Sequence, residues 1–166
     1  MSPFWNNQIQ LFLKLAFTDF APFFDLELPE IIDTLKNIDI HKCIPLKYIQ
    51  SALKTLELML IHFGNTVADI LPVLYKILIV ISAFTRTLLD QRLLLNVGAV
   101  NRLKTIRIDC YKSMEKFFKS FESYSFSTIE IDGLFNTLID PMILNLSKES
   151  LFVPSPLLRL LRCLQF

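Results

Sequence analysis

The residue types that most readily ligate a metal or act as nucleophiles occur here at His41, Cys43, His62, Cys110 and Cys163. His41-Lys42-Cys43 is the one close couple. Zinc usually takes four ligands in spaced couples, and His62, Cys110 and Cys163 supply no second couple, so no metal site is expected. His62, near the end of an expected helix, reads as a cap on terminal carbonyls or a solvent-facing group. An odd, scattered set of three cysteines does not make a disulfide framework. Phosphate-binding loops need clustered glycines, whereas Gly64, Gly98 and Gly133 lie at least 34 residues apart, which excludes a nucleotide cofactor held by a glycine-rich turn. A Gly-x-Ser-x-Gly elbow is absent. Asp132 and Asp140 sit near expected helix ends, where carboxylates complement the peptide dipoles without acid–base work. These readings imply a non-enzyme with no cofactor and no small-molecule substrate.

Charge offers a different chemistry. Between Asp19 and Asp39 the acids Asp19, Asp25, Glu27, Glu30, Asp33 and Asp39 face Lys36 alone, while between Arg86 and Lys119 eight bases face Asp90, Asp109 and Glu115. Lys104, Lys112, Lys116 and Lys119 fall on one side of a single expected helix, with Arg102 at its edge. Such a stripe suits phosphates or an acidic partner and would bind in a salt-dependent way. Interleaved Asp109, Glu115 and Glu122 give the same face the look of an ordinary solvated exterior. Tyr111 turns toward the rim of the apolar arc, so no base-stacking platform is formed. Arg107 projects into the arc of Met114 and Phe118 and is expected to pair with an acid of a neighbouring helix or to snorkel past the rim.

The elements that must position these residues follow from a helical period, because apolar residues recur at three and four rather than at two. A first helix is expected over about 7–24, ending near Pro22. A short one follows from Pro29 through Ile31, Ile32, Leu35 and Ile38. After a loop around His41 to Pro45, the stripe Ile49, Leu53, Leu56, Leu60, Phe63 marks a helix over 46–63, closed by Gly64-Asn65. The next is capped by Thr66, with Asp69 in the capping-box position, and runs to about Leu89 with a kink expected at Pro72. Asn96-Val97-Gly98 is expected to end that unit. A strongly amphipathic helix then spans about 100–121. Ser127 to Glu130 reads as a capping box for a helix through Leu134, Leu138 and Ile139, with Pro141 falling where Pro72 fell before. After a turn at 147–150, Ser155-Pro156 starts a last helix, Leu157 to Phe166. That helix either belongs to a longer solenoid or docks back on the preceding pair. The fold class is therefore all-α: one segment, 1–166, of stacked antiparallel pairs at about 7–40, 46–95 and 100–146, with a partial helix over 156–166.

Hydrophobic residues form 52% and charged residues 20% of the chain, against about 45–50% and about 25% in typical soluble domains. Either a membrane or missing neighbour helices would explain the surplus. The longest apolar run, Ile70 to Phe84, contains Lys76 and covers only about 22 Å of a roughly 30 Å hydrocarbon core, so no membrane span is expected. The start, Met1-Ser2-Pro3-Phe4-Trp5, lacks the pattern of a secretory signal, which implies synthesis in the cytosol.

Ala52-Leu53-Lys54-Thr55-Leu56-Glu57-Leu58, leading through Gly64 to Ile70-Leu71-Pro72-Val73-Leu74, resembles a HEAT-type repeat: first helix, turn and proline-bearing second helix. Units of about 50 residues exceed the ~40–47 usual for HEAT and armadillo arrays. The stretch Leu93 to Arg107, continuing through Tyr111 to Phe118, is similar to the down-regulated-in-metastasis family, large nucleolar helical-repeat scaffolds of the small-subunit processome. That resemblance implies a non-catalytic scaffold acting in small-subunit rRNA processing. Its partners would be other assembly-factor proteins and pre-ribosomal RNA, and its location the nucleolus. Without the resemblance, the same architecture would suit a cytoplasmic transport or coat adaptor that binds proteins or peptides, or a membrane-associated helical protein.

Overall fold

A computed structural model of the chain describes residues 26–36, 46–63, 71–121, 124–144 and 158–162. The helix expected over 7–24, the loop at 41–45, the Thr66 cap, the 147–150 turn, the Ser155-Pro156 start, Cys43 and Cys163 lie outside them. Among the described residues there is no strand, and the all-α class expected from the sequence holds. The helices are α1 (Leu28–Lys36), α2 (Leu46–Phe63), α3 (Leu71–Asp90), α4 (Val97–Ser120), α5 (Thr128–Leu134) and α6 (Asp140–Leu144). A 3-10 turn, Arg92–Leu94, links α3 to α4, and a π-helical segment, Phe135–Ile139, carries α5 into α6. A further helical turn spans 158–162.

The closest packings set α2 on α4, α3 on α4, α1 on α3, and the π segment on α3. Their directions follow from cross-contacts. Ser82 meets Arg107 while Tyr75 meets Phe117, so α3 and α4 run antiparallel. Gln50 meets Arg102 while Lys54 lies beside Asp109, so α2 and α4 run parallel. Tyr75 meets Glu130 and Arg86 meets Asn136, which makes α3 parallel to the helix formed by α5 and the π segment.

Helix α2 is one-sided, as its stripe requires: Ile49, Leu53, Leu56 and Leu60 are sealed off while Leu58 and Ile61 remain about half exposed. Helix α3 is different. By length and composition it could cross a membrane, with mean hydropathy 1.6, yet 78% of that window is buried inside the protein. Neighbours on several sides demand apolar residues around most of its circumference, which accounts for part of the surplus noted above. Its polar positions are satisfied locally: Ser82 Oγ donates to Leu78 O at 2.6 Å and Thr85 Oγ1 to Ser82 O at 3.1 Å. Pro72 is the second described residue of α3, and residues 64–70, where that helix would be entered, lie outside the described residues. Among the described residues an aromatic cluster gathers around Phe117, whose ring lies 5.4–6.3 Å from those of Tyr75, Phe118, Phe121, Tyr124 and Phe126.

Pro141 is buried and stands inside a continuous helical path. It lacks the N–H that Thr137 O would receive in an α-helix or Asn136 O in a π-helix. The Asp140 N–H, the remaining α-type donor for Asn136 O, goes instead to Phe135 O, one residue wider than an α-turn. Side chains from elsewhere fill the two gaps: Arg86 of α3 donates to Asn136 O, and Arg107 of α4 donates through Nη1 to Thr137 O at 2.8 Å. The same Arg107 Nη1 reaches Ser82 O at 2.9 Å, and Tyr111 adds a bond to Leu138 O. Arg107 therefore does not pair with an acid or snorkel. It is 1% exposed, and its positive charge is held by two carbonyl dipoles and by the Tyr111 ring 5.9 Å away. Its Nε and Nη2 have no partner.

Asn96-Val97-Gly98, expected as a break, starts a helix instead: Asn96 Oδ1 accepts the Ala99 N–H at 2.7 Å and α4 begins at Val97. Ser127 and Glu130 form the capping box read from the sequence. At the end of the described chain Leu160 is fully buried and Arg159 reaches Glu115, so 158–162 docks on α4.

If Pro141 creates the vacancy that Arg107 fills, the two positions must be energetically coupled. Arg107→Met should lower stability by about 2–4 kcal/mol in urea unfolding. Against a Pro141→Ala background, which restores an N–H, that loss should shrink by about 1–2 kcal/mol. Strict additivity of the two substitutions would show that the guanidinium does not replace the missing amide.

Candidate interaction face on helix α4

Leu103, Ile106, Cys110, Met114 and Phe117 of α4 are fully buried, which fixes the rotation of the helix and turns its lysines outward. Lys112 and Lys119 are exposed; Lys104 and Lys116 are half-buried. The structure does not use the four alike. Lys119 Nζ lies 2.8 Å from Glu115 Oε1, and Arg159 Nε lies 3.3 Å from Glu115 Oε2, so Glu115 ties the C-terminal turn to α4. Lys112 instead lies near Asp109, toward α2. Tyr111, expected at the rim of the arc, is fully buried, and its hydroxyl is engaged with Leu138.

Burial alone would push the Glu115 carboxyl up. The Lys119 hydrogen bond and charge, joined by Arg159, outweigh it and hold the group below its ordinary range. Cys110, sealed in the core, is pushed up to about 11 by burial, against smaller opposing effects of the Arg107 charge and a Ser82 hydrogen bond. Its thiol is an inert packing group. Among the described residues no cluster of three or more His, Cys, Asp or Glu side chains could hold a metal ion.

Between the parallel helices α2 and α4 lies an open groove of about 400 Å³, lined by Lys47, Gln50, Ser51, Lys54, Arg102 and Asp109. Arg102 Nη1 donates to Gln50 Oε1 at 3.3 Å across it. Desolvation raises the Asp109 carboxyl, opposed by Lys54 and Lys112 and helped by Glu57. Lys54 and Glu57 form a loose pair at 3.8 Å. Reading α4 alone misses Lys47 and Lys54. Their seven-residue spacing, which puts both on one face of α2, was the signal available in the sequence.

Two pH effects follow. A carboxyl held below its ordinary range adds stability that is fully present above that range and is lost as pH falls through its lowered value. Glu115→Gln should thus cost about 0.5–1 kcal/mol at neutral pH and progressively less as pH falls below the ordinary carboxylate range, read from unfolding midpoints across pH, since its partners are largely solvated. A thiol held above its ordinary range stabilises below about pH 9 and stops doing so as pH rises toward 11. Cys110→Ala should flatten the decline in stability over that alkaline interval; an unchanged slope would place its source elsewhere.

A family model described as U3 small nucleolar RNA-associated protein 20, N-terminal, matches residues 2–165, nearly the whole chain. Charged exterior, helical core and that match belong to the same molecule: the chain is a member of the family of the N-terminal region of U3 small nucleolar RNA-associated protein 20.

Proposed function

We propose that the chain is a non-catalytic helical scaffold segment that acts in small-subunit ribosome assembly and rRNA processing, in the nucleolus, by holding assembly-factor proteins against pre-ribosomal RNA. The observation that carries this reading is the family match over residues 2–165. The resemblance of Leu93 to Arg107 and Tyr111 to Phe118 to the down-regulated-in-metastasis family fits the same setting. The parallel course of α2 and α4, with α3 antiparallel to α4, supplies the directions that a stack of helical repeats would need. In this reading Lys104, Lys112, Lys116 and Lys119 form the outward partner face of α4.

The decisive measurement is co-sedimentation of the tagged chain with small-subunit precursor particles. Association should fall by about tenfold when Lys104, Lys112, Lys116 and Lys119 are all changed to Glu, and should weaken steeply with salt. Sedimentation with vesicles or coat complexes instead, or free of particles, would refute the ribosome-assembly reading. Unchanged association of the quadruple variant would remove the lysine face from it.

A further inference from the structure

The groove between α2 and α4 has a chemistry of its own. We infer that it seats the phosphate backbone of double-stranded RNA, with Lys47, Lys54 and Arg102 meeting phosphates and Gln50 and Ser51 meeting ribose hydroxyls. The choice of RNA as the anionic polymer rests on the ribosome-assembly reading; the site itself rests on geometry.

Lys47 and Lys54 are separated by two helical turns, about 10 Å along α2, and share a face. Arg102 opposes them from α4. Its bond to Gln50 Oε1 anchors one arm of the guanidinium at the groove and leaves the Gln50 amide nitrogen as a donor. Ser51 is exposed beside them. Lys54, with its side chain 65% exposed and only loosely paired to Glu57, has the reach to meet a phosphate. Cations on two parallel ridges with neutral donors between them match a sugar–phosphate strand, whose phosphates take the charge and whose 2′-hydroxyls take the neutral bonds.

The described lining is polar throughout, made of groups that meet phosphates and ribose hydroxyls and not base faces. Recognition must then read backbone and shape, which favours a duplex over a single strand. Asp109 is the one carboxylate in the lining, half-buried, and it opposes a phosphate. It lowers affinity and keeps the groove from trapping every polyanion. Neutralising it should therefore tighten binding.

Fluorescence anisotropy of the full chain with an RNA duplex of about 16 base pairs tests this. Changing Lys47, Lys54 and Arg102 to Glu should weaken binding about a hundredfold at about 0.1 M salt and reduce the slope of log affinity against log salt by roughly three. Asp109→Asn should strengthen binding about fivefold, a gain that misfolding cannot produce. No gain from Asp109→Asn, or an unchanged salt slope in the triple variant, overturns the assignment. So does tighter binding of single-stranded RNA, or of poly-glutamate, which would give the groove to an acidic protein segment. If the groove variants keep their RNA affinity while the unmodified chain still sediments with precursor particles, the groove assignment falls and the scaffold reading stands.

Discussion

A helix that runs through a proline must find hydrogen-bond donors outside itself, and the packing of this chain is organised around that need. Pro141 leaves Thr137 O and Asn136 O without their helical amides, and the donors come from Arg107 on α4 and Arg86 on α3. Because Arg107 also holds Ser82 O, one guanidinium joins three helices. A buried charge so placed cannot slide: any change in the register of α4 would separate it from both carbonyls and leave an unpaired cation in the core. The outward direction of the lysines is a secondary result of that lock.

Helix α4 consequently works on two sides. Its inner side joins the aromatic cluster around Phe117, where packing is dense and non-directional, and the arginine lock, where it is directional. Its outer side divides into a tied region at Glu115, closed by Lys119 and Arg159, and an open region facing α2. Neutralised charges hold the C-terminal turn in place. Cations that are not fully neutralised are left to the groove and to the exposed lysines.

Much of this was legible in the residues, for physical reasons. A one-sided helix writes its packing into its own periodicity, so α2 could be read from Ile49, Leu53, Leu56 and Leu60, and the capping box at Ser127 and Glu130 is a local interaction with a local signature. Asn96 was misread because Asn-x-Gly serves equally as a stop or as a cap, and only the chain direction of the next helix decides. Pro141 announced a lost amide, but its replacement lies more than thirty residues upstream, so neither the π segment nor the role of Arg107 could be derived from local pattern. The lysine face was visible on α4; the groove needed a second helix brought alongside in parallel, and nothing in one helix specifies its neighbour's register.

The burial of most of α3 has a consequence for how the chain is made. Its shelter comes from α1, which precedes it, and from α4 and the π segment, which follow. On the ribosome, α3 emerges while its later partners are still unmade, and about 50 more residues must be added before Ile139 is complete. At typical elongation rates that leaves about 2–10 s in which a helix apolar enough to satisfy a membrane criterion stands partly bare. During that interval the nascent chain is a natural client for chaperones that shield apolar segments, and slower translation through α4 would lengthen its exposure to mistargeting and aggregation.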